Sequence, residues 1–265
     1  MKQFTRLLLI ALVFTSCRNK EKDETGDAPD FDATEKKMHE AIAAYPDSLL
    51  LKENLIQYYR DNDEYDLAIE ETDHAIKKDS NNARLWDIKA TLHFEDEDTV
   101  NSIKAFEKAI GLSPDPKYLI ALGTIYAETK NAKALDMANA VLVAKKVRSD
   151  KEALFIKGLY FNYTGDKTKA IISMDSCLAM DYTYMFGYRE KAIALYDLGK
   201  YESALAVLDK GITIQNNFDE GYYWRGRCME KLNRIKDAIE EYRTALMYNP
   251  DYIEADDALT RLGVK

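Results

Sequence analysis

From Thr34 to the C-terminus, apolar residues return in the same order about every 34 positions. Five stretches show it best: YDLAIEETDHAIKKDSNN, VNSIKAFEKAIGLSPDP, KTKAIISMDSCLAMDYT, YESALAVLDKGITIQNN and IKDAIEEYRTALMYNPD. Each follows a run that holds an aromatic residue or leucine, then a small residue, then another apolar one. Short polar segments such as TGDK, LGKY and LNRI separate the halves, with Gly or Asn closing one helix before the next begins. The pattern predicts helix pairs joined by tight turns. Small residues recur where the two helices of a pair cross closely, and large ones where one pair meets the next. A single pair cannot bury its own apolar face, so the pairs must stack.

Full units fit best at 49–82, 83–116, 116–149, 151–184, 185–218 and 219–252. Marker residues include Tyr59, Ala68 and Ala75 in the first, and Trp86, Ala90, Phe106, Ala109 and Pro114 in the second. Leu122, Gly123 and Tyr126 mark the third, whose second half, KALDMANAVLVAKK, is irregular. Gly158, Ala170 and Met174 mark the fourth, Tyr188, Ala192 and Ala204 the fifth, and Tyr222, Gly226, Ala238 and Tyr242 the sixth. This resembles the tetratricopeptide repeat, with its Trp-Leu-Gly-Tyr, Ala, Phe, Ala, Pro pattern. The resemblance implies an all-α fold, a right-handed superhelical solenoid over 34–265. It has six full repeats, a half repeat before them (Met38, Ala41, Pro46) and a polar-faced capping helix at Ile253 to Leu262.

Composition agrees. Glycine (11) and proline (5) are scarce and tyrosine (18) is abundant in 265 residues, which favours long helices over a sandwich or barrel. The net charge of -9 argues against a general nucleic-acid binder, which needs clustered Lys and Arg. At the N-terminus, Lys2 and Arg6 precede an apolar run from Leu7 to Phe14, too short to span a bilayer and read as a secretory signal over 1–16. FTSC, ending at Cys17, resembles a bacterial lipobox, although Phe14 stands where Leu is usual. That resemblance implies lipid on Cys17, a plain signal peptide being the alternative. Removal of Lys2 and Arg6 leaves 35 basic against 46 acidic side chains. Residues 17–33, charged and poor in large apolar groups, read as a flexible tether. The location expected is the bacterial envelope, at the outer membrane.

Catalytic motifs are missing: the chain has no GxSxG, no HExxH and no phosphate-binding glycine loop. His39, His74 and His93 lie in different repeats without metal-ligand spacing, so no metal or cofactor is expected. The acidic stretches RDNDEYD (60–66) and FEDEDT (94–99) fail the calcium-loop pattern and read as solvated turns. Cys177 and Cys228 are a whole repeat apart, too far to bridge, and are expected as free thiols. The chain reads as a non-enzyme.

Tetratricopeptide arrays usually hold a peptide in a groove lined by the first helix of each repeat. Carrying the family's groove positions over, the first two repeats give Leu50, Glu53, Gln57, Arg60, Arg84, Asp87 and Thr91, a mostly polar wall. The last three give Phe155, Leu159, Asn162, Tyr163, Phe186, Arg189, Ile193, Tyr196, Tyr223, Arg227 and Lys231. The expectation is a set of aromatic anchors with arginine forks for carboxylates of a protein or peptide partner. Packing against the next repeat is the competing reading for these residues. The family's chaperone-binding carboxylate clamp is not reproduced, since Glu53 and Gln57 occupy its places. The function expected is an envelope scaffold or adaptor. The alternative is glycan or peptidoglycan capture by stacked aromatics such as Tyr196 and Tyr223.

Overall fold

The computed structural model describes residues 31–264. The signal, Cys17 and most of the tether lie outside them. Among the described residues there are fourteen α-helices and no strand. They are α1 (Phe31–Ala44), α2 (Leu49–Asp61), α3 (Tyr65–Lys78), α4 (Ala83–Glu95), α5 (Thr99–Leu112), α6 (Pro116–Glu128) and α7 (Lys133–Lys145). Then follow α8 (Lys151–Thr164), α9 (Lys167–Met180), α10 (Met185–Asp197), α11 (Tyr201–Ile214), α12 (Asp219–Lys231), α13 (Ile235–Tyr248) and α14 (Ile253–Arg261). Each repeat start read from the sequence coincides with the first residue of a helix: 49, 83, 116, 151, 185 and 219. The first helix, α1, starts at Phe31, inside the stretch read as tether. The helices fall into two compact units divided within α6, between Leu122 and Gly123.

In unit 1, α1 supplies the half repeat: Met38 and Ile42 pack on a core of Leu55, Ile56, Tyr59, Ala68 and Leu92. The Tyr59 hydroxyl donates to Glu35 at 2.6 Å, which ties α1 to α2. In unit 2, one core holds Tyr188, Ala192, Leu195, Ala204, Leu208, Phe218 and Cys228. A second holds Tyr223, Met229, Ala238, Tyr242 and Ala245, closed by Ala255, Ala258 and Leu259 of the short α14. That is the expected cap: α14 buries its small residues and leaves Asp256 and Asp257 in solvent.

Close helix crossings need the small residues. A Cβ on Gly226 would lie 2.6 Å from the Tyr242 ring, and one on Gly158 2.6 Å from Met174 Cε. In the turn after the first helix, every repeat places one residue in the left-handed region. These are Asp63, Glu97, Lys130, Gly165, Gly199 and Asn233. Five of the six turns also close with a bond from an amide to the carbonyl five residues back: Glu64 to Tyr59, Asp98 to His93, Asn131 to Tyr126, Lys200 to Leu195 and Arg234 to Met229. That is the Schellman geometry, which glycine adopts freely and other residues adopt at a cost.

The irregular third repeat has a simple cause. Its buried residues on α7, Ala134, Ala138 and Val141, come one position earlier than their counterparts Ala170, Met174 and Cys177 in the fourth. A longer α7–α8 connection, begun by left-handed Lys146 and closed by the Asp150 cap on the amides of Glu152 and Ala153, restores the spacing.

Candidate functional site

The first helices of unit 2, α8, α10 and α12, carry the positions read as a groove. Aromatic rings run along them. Phe155 meets Tyr184 at 5.3 Å and Phe186 at 6.3 Å between centroids. Further on, Trp224 meets Tyr196 at 5.5 Å and Tyr223 at 5.7 Å, and Tyr223 meets Tyr252 at 5.0 Å. Of the eleven residues, Lys231 is exposed and the other ten divide into two groups. Phe155, Leu159, Asn162 and Tyr223 are buried and belong to the packing between helices. Tyr163, Phe186, Arg189, Ile193, Tyr196 and Arg227 are half-buried and present part of each side chain.

Arg189 departs from the expectation that it offers a free fork. Its Nε donates to Glu190 at 3.0 Å and its Nη1 to Glu220 at 2.6 Å. Its side chain is 13% exposed, and the guanidinium lies over the Phe186 ring at 5.2 Å. Both carboxylates belong to the chain itself. Asn162 donates to Glu190 Oε2 at 2.9 Å and accepts from Lys167 Nζ at 2.6 Å, so its amide is a brace inside the face. Lys167 also reaches Asp197 at 2.5 Å.

Beside this cluster, at the C-terminus of α6, stands Glu128. Burial, then the negative charge of Glu190, pushes its carboxyl up to about 8, while Arg189 works the other way. One of its oxygens is buried without a hydrogen-bond partner. The hydroxyl of Tyr163 is likewise raised by burial and by the charges of Glu190 and Glu128. On Glu220, burial outweighs the pull of Arg189, and its carboxyl is raised. Two carboxylates therefore pair with one guanidinium, and a third carboxyl, Glu128, feels its charge.

These acids escape a reading of the sequence that weighs only the aromatic and basic groove residues of the last three repeats. Glu220 opens the sixth repeat's first helix at a groove position, and Glu128 ends the third repeat's first helix at another. Both positions could have been found by carrying the same groove spacing through every repeat and keeping the acids. Glu190, beside Arg189 in the sequence, is recognisable only from its pairing.

Arg227 has a different setting. Its guanidinium lies 5.3 Å from the Tyr196 ring, 5.7 Å from Tyr223 and 5.1 Å from Trp224. It donates to the Tyr223 hydroxyl at 2.9 Å and to that of Tyr196 at 3.4 Å.

Unit 1 has a charged face too. Arg84 makes a two-pronged pair with Glu53 at 2.7 and 2.9 Å, Lys117 reaches Asp87 at 3.2 Å, and Arg60 pairs with Glu95. The polar wall read there is a ladder of such pairs, with Leu50 exposed at its margin. The acidic stretches do fall at helix turns, around Asp63 and Glu97. His93 is mostly buried, 3.5 Å from Asp98, and burial lowers its pKa. Cys177 and Cys228 are free and buried, and burial pushes each thiol up to about 12. Among the described residues no group of His, Cys, Asp and Glu could hold a metal ion, and no helix is long and apolar enough to cross a membrane.

Residues 83–116 and 219–252 each match the family described as tetratricopeptide repeat, in the same frames as the second and sixth helix pairs. Solved structures share the fold. A tetratricopeptide repeat protein from Parabacteroides merdae ATCC 43184 is similar at 17% identity with a TM-score of 0.75, over 87% of this chain and 91% of that one. PilW, a type IV pilus biogenesis factor, is similar at 18% identity and a TM-score of 0.61, over 79% of this chain and 97% of its own. A thermophilic repeat protein of Thermus thermophilus is similar at 13% identity and a TM-score of 0.59, over 69% of this chain and 100% of its own. Six helix pairs thus share one sequence frame, and the two at 83–116 and 219–252 are tetratricopeptide repeats by direct match.

Proposed function

We propose that this protein is an interaction scaffold that holds a segment of a partner protein along α8, α10 and α12. We further propose that it works at the bacterial cell envelope, at the outer membrane, held there by lipid on Cys17. The observation that carries the binding reading is the half-buried set Tyr163, Phe186, Ile193, Tyr196 and Arg227 on three successive first helices. Rigid aromatic and aliphatic groups whose rotamers are already fixed lose little entropy on contact, which is the makeup of binding hot spots. The anchoring reading rests on the apolar run that ends at Cys17.

Glycan capture has less support. Sugar stacking needs an open ring face, and Tyr223 is 8% exposed. Tyr196 has Tyr201 and Trp224 at its edges and Arg227 over its ring. Thiol chemistry also lacks support, since both described thiols are buried and held in the neutral form.

A photo-crosslinking residue at Ile193, on the proposed face, should trap a discrete partner in intact cells. The same residue at exposed Ile172, on the second helix of the fourth repeat, should not. Equal trapping at both sites, or none at Ile193, overturns the face. Recovery of the Cys17→Ser variant in the membrane fraction overturns the anchor.

A further inference from the structure

The cations of the α8–α10–α12 face are not equivalent. Arg189 is neutralised by Glu190 and Glu220, and Lys167, which borders the face from the start of α9, by Asp197. Arg227 has no carboxylate within ion-pair distance among the described residues. Its polar partners are two phenol oxygens. The nearest acid on its own helix, Glu230, is taken by the Arg261 guanidinium, at 2.6 and 2.8 Å, and by the Tyr242 hydroxyl. A guanidinium carries five N–H donors, so the two phenols leave three without an acceptor among the described residues. Ring quadrupoles attract the charge but accept no conventional hydrogen bond from those donors.

The cage also fixes the side chain. Three rings surround the guanidinium within 5.1 to 5.7 Å of their centroids, and two hydroxyls set its plane. The residue is half-buried, so one side of it faces outward. A rigid, partly desolvated, uncompensated guanidinium is preorganised for a carboxylate. The fork matches two carboxylate oxygens, and little rotamer entropy remains to be lost.

Building on the segment-binding reading above, we infer that Arg227 is the anchor for a carboxylate of the bound partner, supplied by an Asp or Glu side chain or by a chain end. Arg189 is a structural ion pair and takes no part. The Tyr196 ring, alongside Arg227, makes the apolar contact next to the anchored acid. Specificity at this end of the face is therefore for an acidic group, held by a single guanidinium, in a protein that is itself acidic overall.

The test is an array of random nonapeptides, printed with free and with amidated C-termini and probed with the full chain. Bound peptides should share an Asp or Glu at one position, or require the free end, and the two printings separate those sources. Changing that acid to its amide should weaken binding about 10- to 100-fold, the usual scale for a charge-assisted fork. The Arg227→Gln protein should lose the acidic preference. Arg227→Lys, which keeps the charge in the cage, should retain it several-fold weaker and serves if Arg227→Gln fails to fold. Arg227→Glu should shift the preference to Lys and Arg. Binding by the wild type without an acidic preference, or an acidic preference that survives in Arg227→Gln, overturns the inference alone. Absence of any bound peptide overturns the segment-binding reading, and this inference with it.

Discussion

Replacing Glu128 by glutamine tests the charge balance beside α10. In the folded chain its carboxyl is pushed up to about 8 from 4.5, chiefly by burial and then by Glu190, with Arg189 opposing. The folded state thus keeps a proton that the unfolded chain releases above 4.5. Stability from this group is fully present below that value, falls as pH rises, and levels off above about 8. At about 1.4 kcal/mol per unit the ceiling is roughly 5 kcal/mol, and relaxation of the site brings the expected loss to about 2–3 kcal/mol. Trp224 reports on unit 2 once Trp86, in unit 1, is replaced by phenylalanine. Urea unfolding followed by Trp224 fluorescence at pH 5.5, 6.5 and 7.5 should show stability falling with pH in the parent and much less in Glu128→Gln. The acids with lowered pKa, such as Asp181 at about 2, titrate below this window. The lowered pKa of His93 gives a slope of opposite sign that both proteins share. Parallel pH profiles for the two proteins would refute the reasoning.

Two further outcomes are expected. Glu97→Gly and Lys130→Gly relieve left-handed backbone at φ 61° and 60° and should each stabilise the chain by about 0.5–1 kcal/mol, read as a rise in thermal midpoint. A fall in both would mean that the turns are not strained. Cys177 and Cys228, with thiols raised to about 12, should resist a thiol reagent at pH 8 in the folded chain and react fully in denaturant. Fast labelling of either one in the native state would contradict its burial.

The scaffold was legible because each helix crossing tolerates only small residues. Gly158 and Gly226 stand where even a Cβ would strike the partner helix, buried Ala192 holds the matching place in the fifth repeat, and that spacing survives in the sequence. The third repeat was harder to read because its buried set on α7 slips by one residue while α6 and α8 keep the frame. The face was legible only in part. The inherited positions marked α8, α10 and α12, but not which rings turn inward: Phe155 and Tyr223 pack against neighbours, while Phe186 and Tyr196 keep part of their surface. Nor did they tell a neutralised arginine from an available one. That difference rests on acids about one repeat away, Glu220 for Arg189, and on the lack of such an acid for Arg227 among the described residues.

The pairs that join successive repeats differ from one another. Arg84 to Glu53 and Lys117 to Asp87 place the base on the later repeat in unit 1, Arg189 to Glu220 in unit 2 places it on the earlier one, and Arg261 of α14 reaches back to Glu230. The helices and turns are nearly interchangeable, but the charges that meet across each boundary are not. Exchanging two repeats would preserve every helix and leave unmatched acids and bases at the new joints. The order of the repeats is thus written into the chain as a set of individual keys, and growth or loss of the array by shuffling internal units is restrained accordingly.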